Sequence, residues 1–242
     1  MLFGKKEKRN PRDLFYVELS SSLEKPGCPI CGIVEKVEYD LIFDILYEHV
    51  NDPDTRSKFR ESLGLCGYHA WLLYKYSYGD PLIGEPGPAI IYQDMLETYY
   101  EMLEKKGIVN PAKFSGKCFL CKDLVEYNRI FVEKFAEKII ETDLLQEYEA
   151  NTYSILCMHH FRDVYMELLK KRKDLAEKLR EIQLHKISKL LDIMKKFINK
   201  FDYRVKEQPT SIEATSTKLA IQALKGTPTT TRIYNCKTNP NT

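Results

Sequence analysis

The sequence predicts an all-α protein made of two tandem duplicated helical units, each closed around a Cys₃His metal site, with a long helix toward the C-terminus. Three observations lead there. A four-residue pattern occurs twice: Cys28-Pro29-Ile30-Cys31 precedes Cys66-Gly67-Tyr68-His69, and Cys118-Phe119-Leu120-Cys121 precedes Cys157-Met158-His159-His160. The apolar residues that follow the two Cys-x-x-Cys motifs keep one register, because Ile30, Val34, Val37, Leu41 and Ile45 match Leu120, Leu124, Tyr127, Phe131 and Phe135 at a constant offset. Steps of four and three place each set on one face of a helix. From Lys117 to Gln208 there is neither glycine nor proline, which removes the turn chemistry that strands need.

Taken in order, residues 1–10 form a charged extension carrying Lys5, Lys6, Lys8 and Arg9. Asn10-Pro11 reads as a helix start, and Pro26-Gly27 stops that helix. Cys28-Pro29 opens the next helix. Asn51-Asp52-Pro53 restarts a short one, which Gly64 ends. A helix follows from Cys66 to Tyr76, then a Gly/Pro-rich loop, then a helix from Ala89 to Lys106. Gly107 and Asn110-Pro111 separate unit 11–107 from unit 108–208. Late in the second unit, Leu184, Ile187, Leu191, Met194, Ile198 and Phe201 step in threes and fours, a coiled-coil-like stripe expected to face the core. A short helix is expected within 209–226. Residues 227–242, rich in Thr and Asn, are expected to be a disordered tail that leaves Cys236 exposed.

A Cys-x-x-Cys at a helix start aims both sulfurs at one point, where free N–H groups and the helix dipole favour the thiolate that a metal needs. A Cys-x-x-His beginning another helix supplies the other half of a tetrahedron. Pairing neighbours along the chain gives Cys28, Cys31, Cys66 and His69 as one ligand set and Cys118, Cys121, Cys157 and His160 as the other. His160 is preferred to His159 because it keeps the spacing of Cys66 and His69. Thiolates with imidazole suit zinc, two ions per chain. Iron–sulfur clusters are the alternative. Thiol–disulfide exchange is disfavoured because no βαβ pattern is present and Phe119 replaces the proline of the first motif. Four protein ligands per site leave no open position for catalytic zinc, so no residue is assigned a catalytic role.

Charge and composition exclude other classes. The formal charge is +2 and no apolar run reaches the length of a membrane span, so the expectation is a cytoplasmic protein with reduced thiols. Residues 170–206 carry 13 Lys or Arg against 5 Asp or Glu. That stretch is either a solvated helix face or a surface for nucleic acid, and a protein partner is the broader expectation.

The residues also carry a resemblance. Cys-Pro-x-Cys, Asn51-Asp52-Pro53 with Arg56 and Arg60, Gly64-Leu65-Cys66 with His69-Ala70-Trp71, the run from Ala89 to Asp94, and Ala220-Ile221 to Gly226 together resemble a prokaryotic family catalogued as a domain of unknown function. The likeness spans roughly residues 11–226. It implies an archaeal or anaerobic origin and no known activity. Thr217 stands where the resemblance leads one to expect tryptophan.

Overall fold

The computed structural model describes residues 11–79, 82–84 and 86–238, with side chains through Asn235. The extension 1–10 and the side chain of Cys236 lie outside the described residues. The fold is all-α, and an isolated bridge between Gly27 and Ser154 is its one piece of β pairing among the described residues. In order come α1 (Leu14–Leu23), α2 (Pro29–Tyr47), α3 (Pro53–Ser62), α4 (Gly67–Gly79), α5 (Pro86–Lys106), α6 (Phe119–Glu141), α7 (Leu144–Ala150), α8 (Met158–Lys171), α9 (Lys173–Asn199), α10 (Ser211–Lys225) and α11 (Pro228–Thr238). Caps set many of these starts. The Asp13 carboxylate accepts the Tyr16 N–H at the head of α1, Asp52 accepts Thr55 N–H before Pro53, and Thr210 with Glu213 forms a capping box on α10.

The chain divides into two compact units, each discontinuous in sequence: 1–33 with 128–227, and 34–127 with 228–242. The division falls inside α2 and α6. The compact units are therefore not the consecutive ranges 11–107 and 108–208 that the repeat suggests. The two helices that open with Cys-x-x-Cys each begin in one unit and continue into the other.

In the first unit α8, α9 and α10 pack together, and α1 packs on α7. Leu19, Phe135, Leu144, Tyr148, Leu168 and Leu179 are fully buried. Three of its buried polar side chains pair with one another and with backbone carbonyls. Tyr148 donates to Gln183 Oε1 and accepts from Leu156 N–H, while Gln183 donates to the Leu156 carbonyl. Lys186 Nζ reaches the Asn151 carbonyl and lies 4.3 Å from the Tyr148 ring centroid.

These polar contacts correct the reading of α9. The face it buries runs through Ala176, Leu179, Ile182, Gln183, Lys186 and Leu190. The predicted stripe is only half inward: Ile187 and Met194 pack beside Leu190 and α10, but Leu184, Leu191, Ile198 and Phe201 are exposed. Thr217 is exposed too. α10 docks through Ile212, Ser216, Leu219 and Ala223, so that helix needs no tryptophan at 217.

In the second unit Ile42, Phe59, Leu73, Ile91 and Leu120 are among the fully buried side chains of one apolar cluster. Arg60 grips the Asp94 carboxylate with two bonds of 3.0 and 2.7 Å, and Arg56 adds a third at 2.9 Å, fixing α3 on α5. The segment expected to be a disordered tail is instead largely α11. Thr229, Thr230 and Ile233 are buried, which the composition hid because threonine counts as polar while its methyl packs.

Candidate metal centres

All four motifs stand at helix starts. Cys28 precedes α2 and Cys31 lies in its first turn, while Cys118 and Cys121 stand the same way on α6. Cys66 precedes α4, whose first turn carries His69. Cys157 caps α8, its sulfur accepting the His160 N–H. Backbone pairing brings the first and last motifs side by side. Gly27 N–H donates to the Tyr153 carbonyl and Ile155 N–H donates to the Gly27 carbonyl, immediately before Cys28 and Cys157. Gly27 sits at φ +108°, and a Cβ there would come within 2.2 Å of Gln222 Oε1.

The eight predicted ligands gather into two groups of four, but the pairing along the chain is not the expected one. Cys28 and Cys31 meet Cys157 and His160 in a first cage, and Cys118 and Cys121 meet Cys66 and His69 in a second. The motifs are crossed, each Cys-x-x-Cys joining the Cys-x-x-His of the other half. Neither neighbour set, Cys28 with Cys66 nor Cys118 with Cys157, is brought together. Within each cage all ligand atoms lie within 4.8 Å of one another.

The donor set and its dimensions fit a tetrahedral ion. Zn–S of about 2.3 Å and Zn–N of about 2.0–2.1 Å imply S···S edges of roughly 3.8 Å and S···N edges of roughly 3.5 Å. The first cage has Cys31–Cys157 at 3.7 Å and its three sulfurs 3.3–3.4 Å from His160 Nδ1. The second has Cys66–Cys121 at 3.6 Å and sulfurs 3.3–3.5 Å from His69 Nδ1.

Three thiols this close cannot all ionise without a cation. Hydrogen bonds from Cys28 and Cys31 pull Cys157 down to about 4, and those from Cys118 and Cys121 pull Cys66 down as well. Burial pushes Cys28 up, and hydrogen bonding to Cys118 and Cys66 pushes Cys121 up. Burial opposes charging His69, yet its bonds to Cys118, Cys66 and Glu38 raise it to about 11. Each cage thus favours the thiolate at the cysteine of its Cys-x-x-His motif, the form that ligates a metal.

Behind each imidazole stands a group absent from the sequence-based ligand list. His69 Nε2–H donates to Glu38 Oε1 at 3.0 Å, and His160 Nε2–H donates to Asn128 Oδ1 at 2.7 Å. Both acceptors are buried. Such a bond fixes the tautomer and leaves Nδ1 facing the sulfurs. Thr229 of α11 donates to the other Glu38 oxygen at 2.7 Å, with the Tyr68 hydroxyl 3.4 Å away. A signal was available, since Glu38 and Asn128 each lie ten residues after the first cysteine of their motif, polar residues on an apolar stripe.

The cages differ in access. In the first, every ligand is at most 3% exposed. In the second, Cys66 is half-buried and forms part of the wall of a cavity of about 820 Å³. Asp44, Glu48 and His49 also cluster on α2 and just after it, at an exposed position unrelated to either cage. No helix among the described residues is long and apolar enough to cross a membrane.

Comparison with known proteins returns no matching curated protein and no matching solved structure. A family model does match over residues 108–231, a segment that contains three of the six motif cysteines, Cys118, Cys121 and Cys157, together with His160. The helices and buried Cys/His groups described above therefore belong to a member of the Family of unknown function (DUF6062).

Proposed function

We propose that the chain binds two zinc ions, one in each crossed Cys₃His cage, and that these ions hold together a helical scaffold that engages a protein partner. The observation that carries the reading is the match between the cage edges and a zinc tetrahedron made wholly of protein donors. Four donors leave no vacant position, which suits a structural ion rather than a hydrolytic one. Iron–sulfur clusters are the weaker fit. A cubane spreads its four terminal ligands over four irons, whereas these ligand atoms lie within 4.8 Å of one another. The shared motif spacing and apolar register support an internal duplication, and the resemblance supports a prokaryotic origin.

Elemental analysis of the anaerobically purified full chain tests the metal. Two equivalents of zinc are expected, with the tetrahedral spectrum of the cobalt-exchanged protein as a check on geometry. Stoichiometric iron with acid-labile sulfide would overturn the assignment.

A further inference from the structure

The cavity beside the second cage has the composition of a ligand site. Its volume of about 820 Å³ lies in the range of small-molecule pockets. Phe114, Val109 and Val125 contribute apolar wall, and Lys122 and Arg232 contribute cations. No aspartate or glutamate is among the described residues that line it. Cys66, the most exposed ligand of either cage, forms part of the same wall. Arg232 comes from α11, the helix that Thr229 anchors to Glu38.

Charge decides what such a cavity can hold. Three thiolates and one divalent ion sum to −1, and Lys122 with Arg232 sum to +2. The wall is therefore cationic once the cage is loaded, and Glu38 stands behind His69 rather than in the lining. A guest must offer an anionic head to the two cations and an apolar body to the aromatic and aliphatic wall. We propose that this cavity binds a small amphiphilic organic anion, a carboxylate or phosphate ester with an apolar body, against the face of the second metal cage. The proposal rests on the zinc reading for its charge balance.

The test uses 8-anilinonaphthalene-1-sulfonate, an anion with an aromatic body, titrated by fluorescence into the full-length, metal-counted protein. Saturable binding is expected, displaced by octanoate and not by inorganic phosphate at equal concentration. Lys122→Glu should weaken it at least about tenfold through charge, and Val125→Trp by a similar factor through filling the cavity. Lys196→Glu, an exposed charge on α9, should leave it unchanged. Equal affinity in wild type, Lys122→Glu and Val125→Trp overturns the proposal, as does displacement by phosphate alone. Loss of a metal from Lys122→Glu with dye affinity intact overturns it too, because the cations then serve only the cage. If the dye responds to both variants as expected in a protein that carries no metal, the cavity stands and the zinc reading falls.

Discussion

Replacing Cys157 by serine distinguishes the crossed cages from neighbour pairing in one experiment. Structural zinc sites contribute apparent binding free energies of about 10–16 kcal/mol. Shared equally over four donors, one thiolate accounts for roughly 2.5–4 kcal/mol, or about 10²–10³-fold in affinity. In the crossed fold the loss falls on Cys28, Cys31 and His160. The Cys157→Ser chain should hold one metal equivalent under mild chelation where the wild type holds two. Alkylation followed by peptide mapping should then label Cys28 and Cys31, while Cys66, Cys118 and Cys121 stay protected. Cys66→Ser should give the mirror result, labelling Cys118 and Cys121. Labelling of Cys118 and Cys121 in Cys157→Ser would refute the pairing, and retention of both metals would refute ligation by Cys157.

Further expectations concern the groups around the cages and in the core. Glu38→Gln should weaken the second site alone by about 10–100-fold, the usual consequence of losing a carboxylate behind a ligating histidine, as read by competition with a coloured chelator. Acid should release metal from both cages, since protons compete for the thiolates, and a stopped-flow pH jump with a zinc-sensitive dye would follow it. Burial lowers Lys186 to about 8 from an ordinary value of 10.5. The unfolded chain then holds more protons between those limits, so stability should rise with pH across that window, and Lys186→Met should flatten the trend in denaturant melts. Gly27→Ala should cost about 1–3 kcal/mol because φ +108° is strained for any side chain. Adding Gln222→Ala should recover only the part due to the clash.

The eight residues that gather into the two groups were legible because their spacing is itself chemistry: two donors three residues apart at a helix start point to one place. Their partnership was not legible. Both Cys-x-x-Cys motifs and both Cys-x-x-His motifs are interchangeable as half-tetrahedra, so the choice rests on chain closure, which barely discriminates. Linking Cys31 to Cys157 closes 126 residues, and linking Cys31 to Cys66 would close 35. The difference costs only about 1 kcal/mol by the logarithmic dependence on loop length, and packing over two units easily exceeds it. The helical class was legible too, from periodicity and from the absence of turn residues. The buried face of α9 was not, because Gln183 and Lys186 occupy positions that a purely apolar pattern reserves for leucine. Their place inside becomes intelligible only with the Tyr148 hydroxyl and the Leu156 and Asn151 carbonyls that they satisfy.

Crossing has a consequence for how the molecule can be taken apart. Each half of the polypeptide owns four donors, yet only two of them serve any one ion. A fragment ending near Gly107 would thus carry two unfinished half-sites, and so would its complement. Neither should hold zinc as designed until they meet, and mixed together they should reassemble around the metal like the two parts of a split reporter.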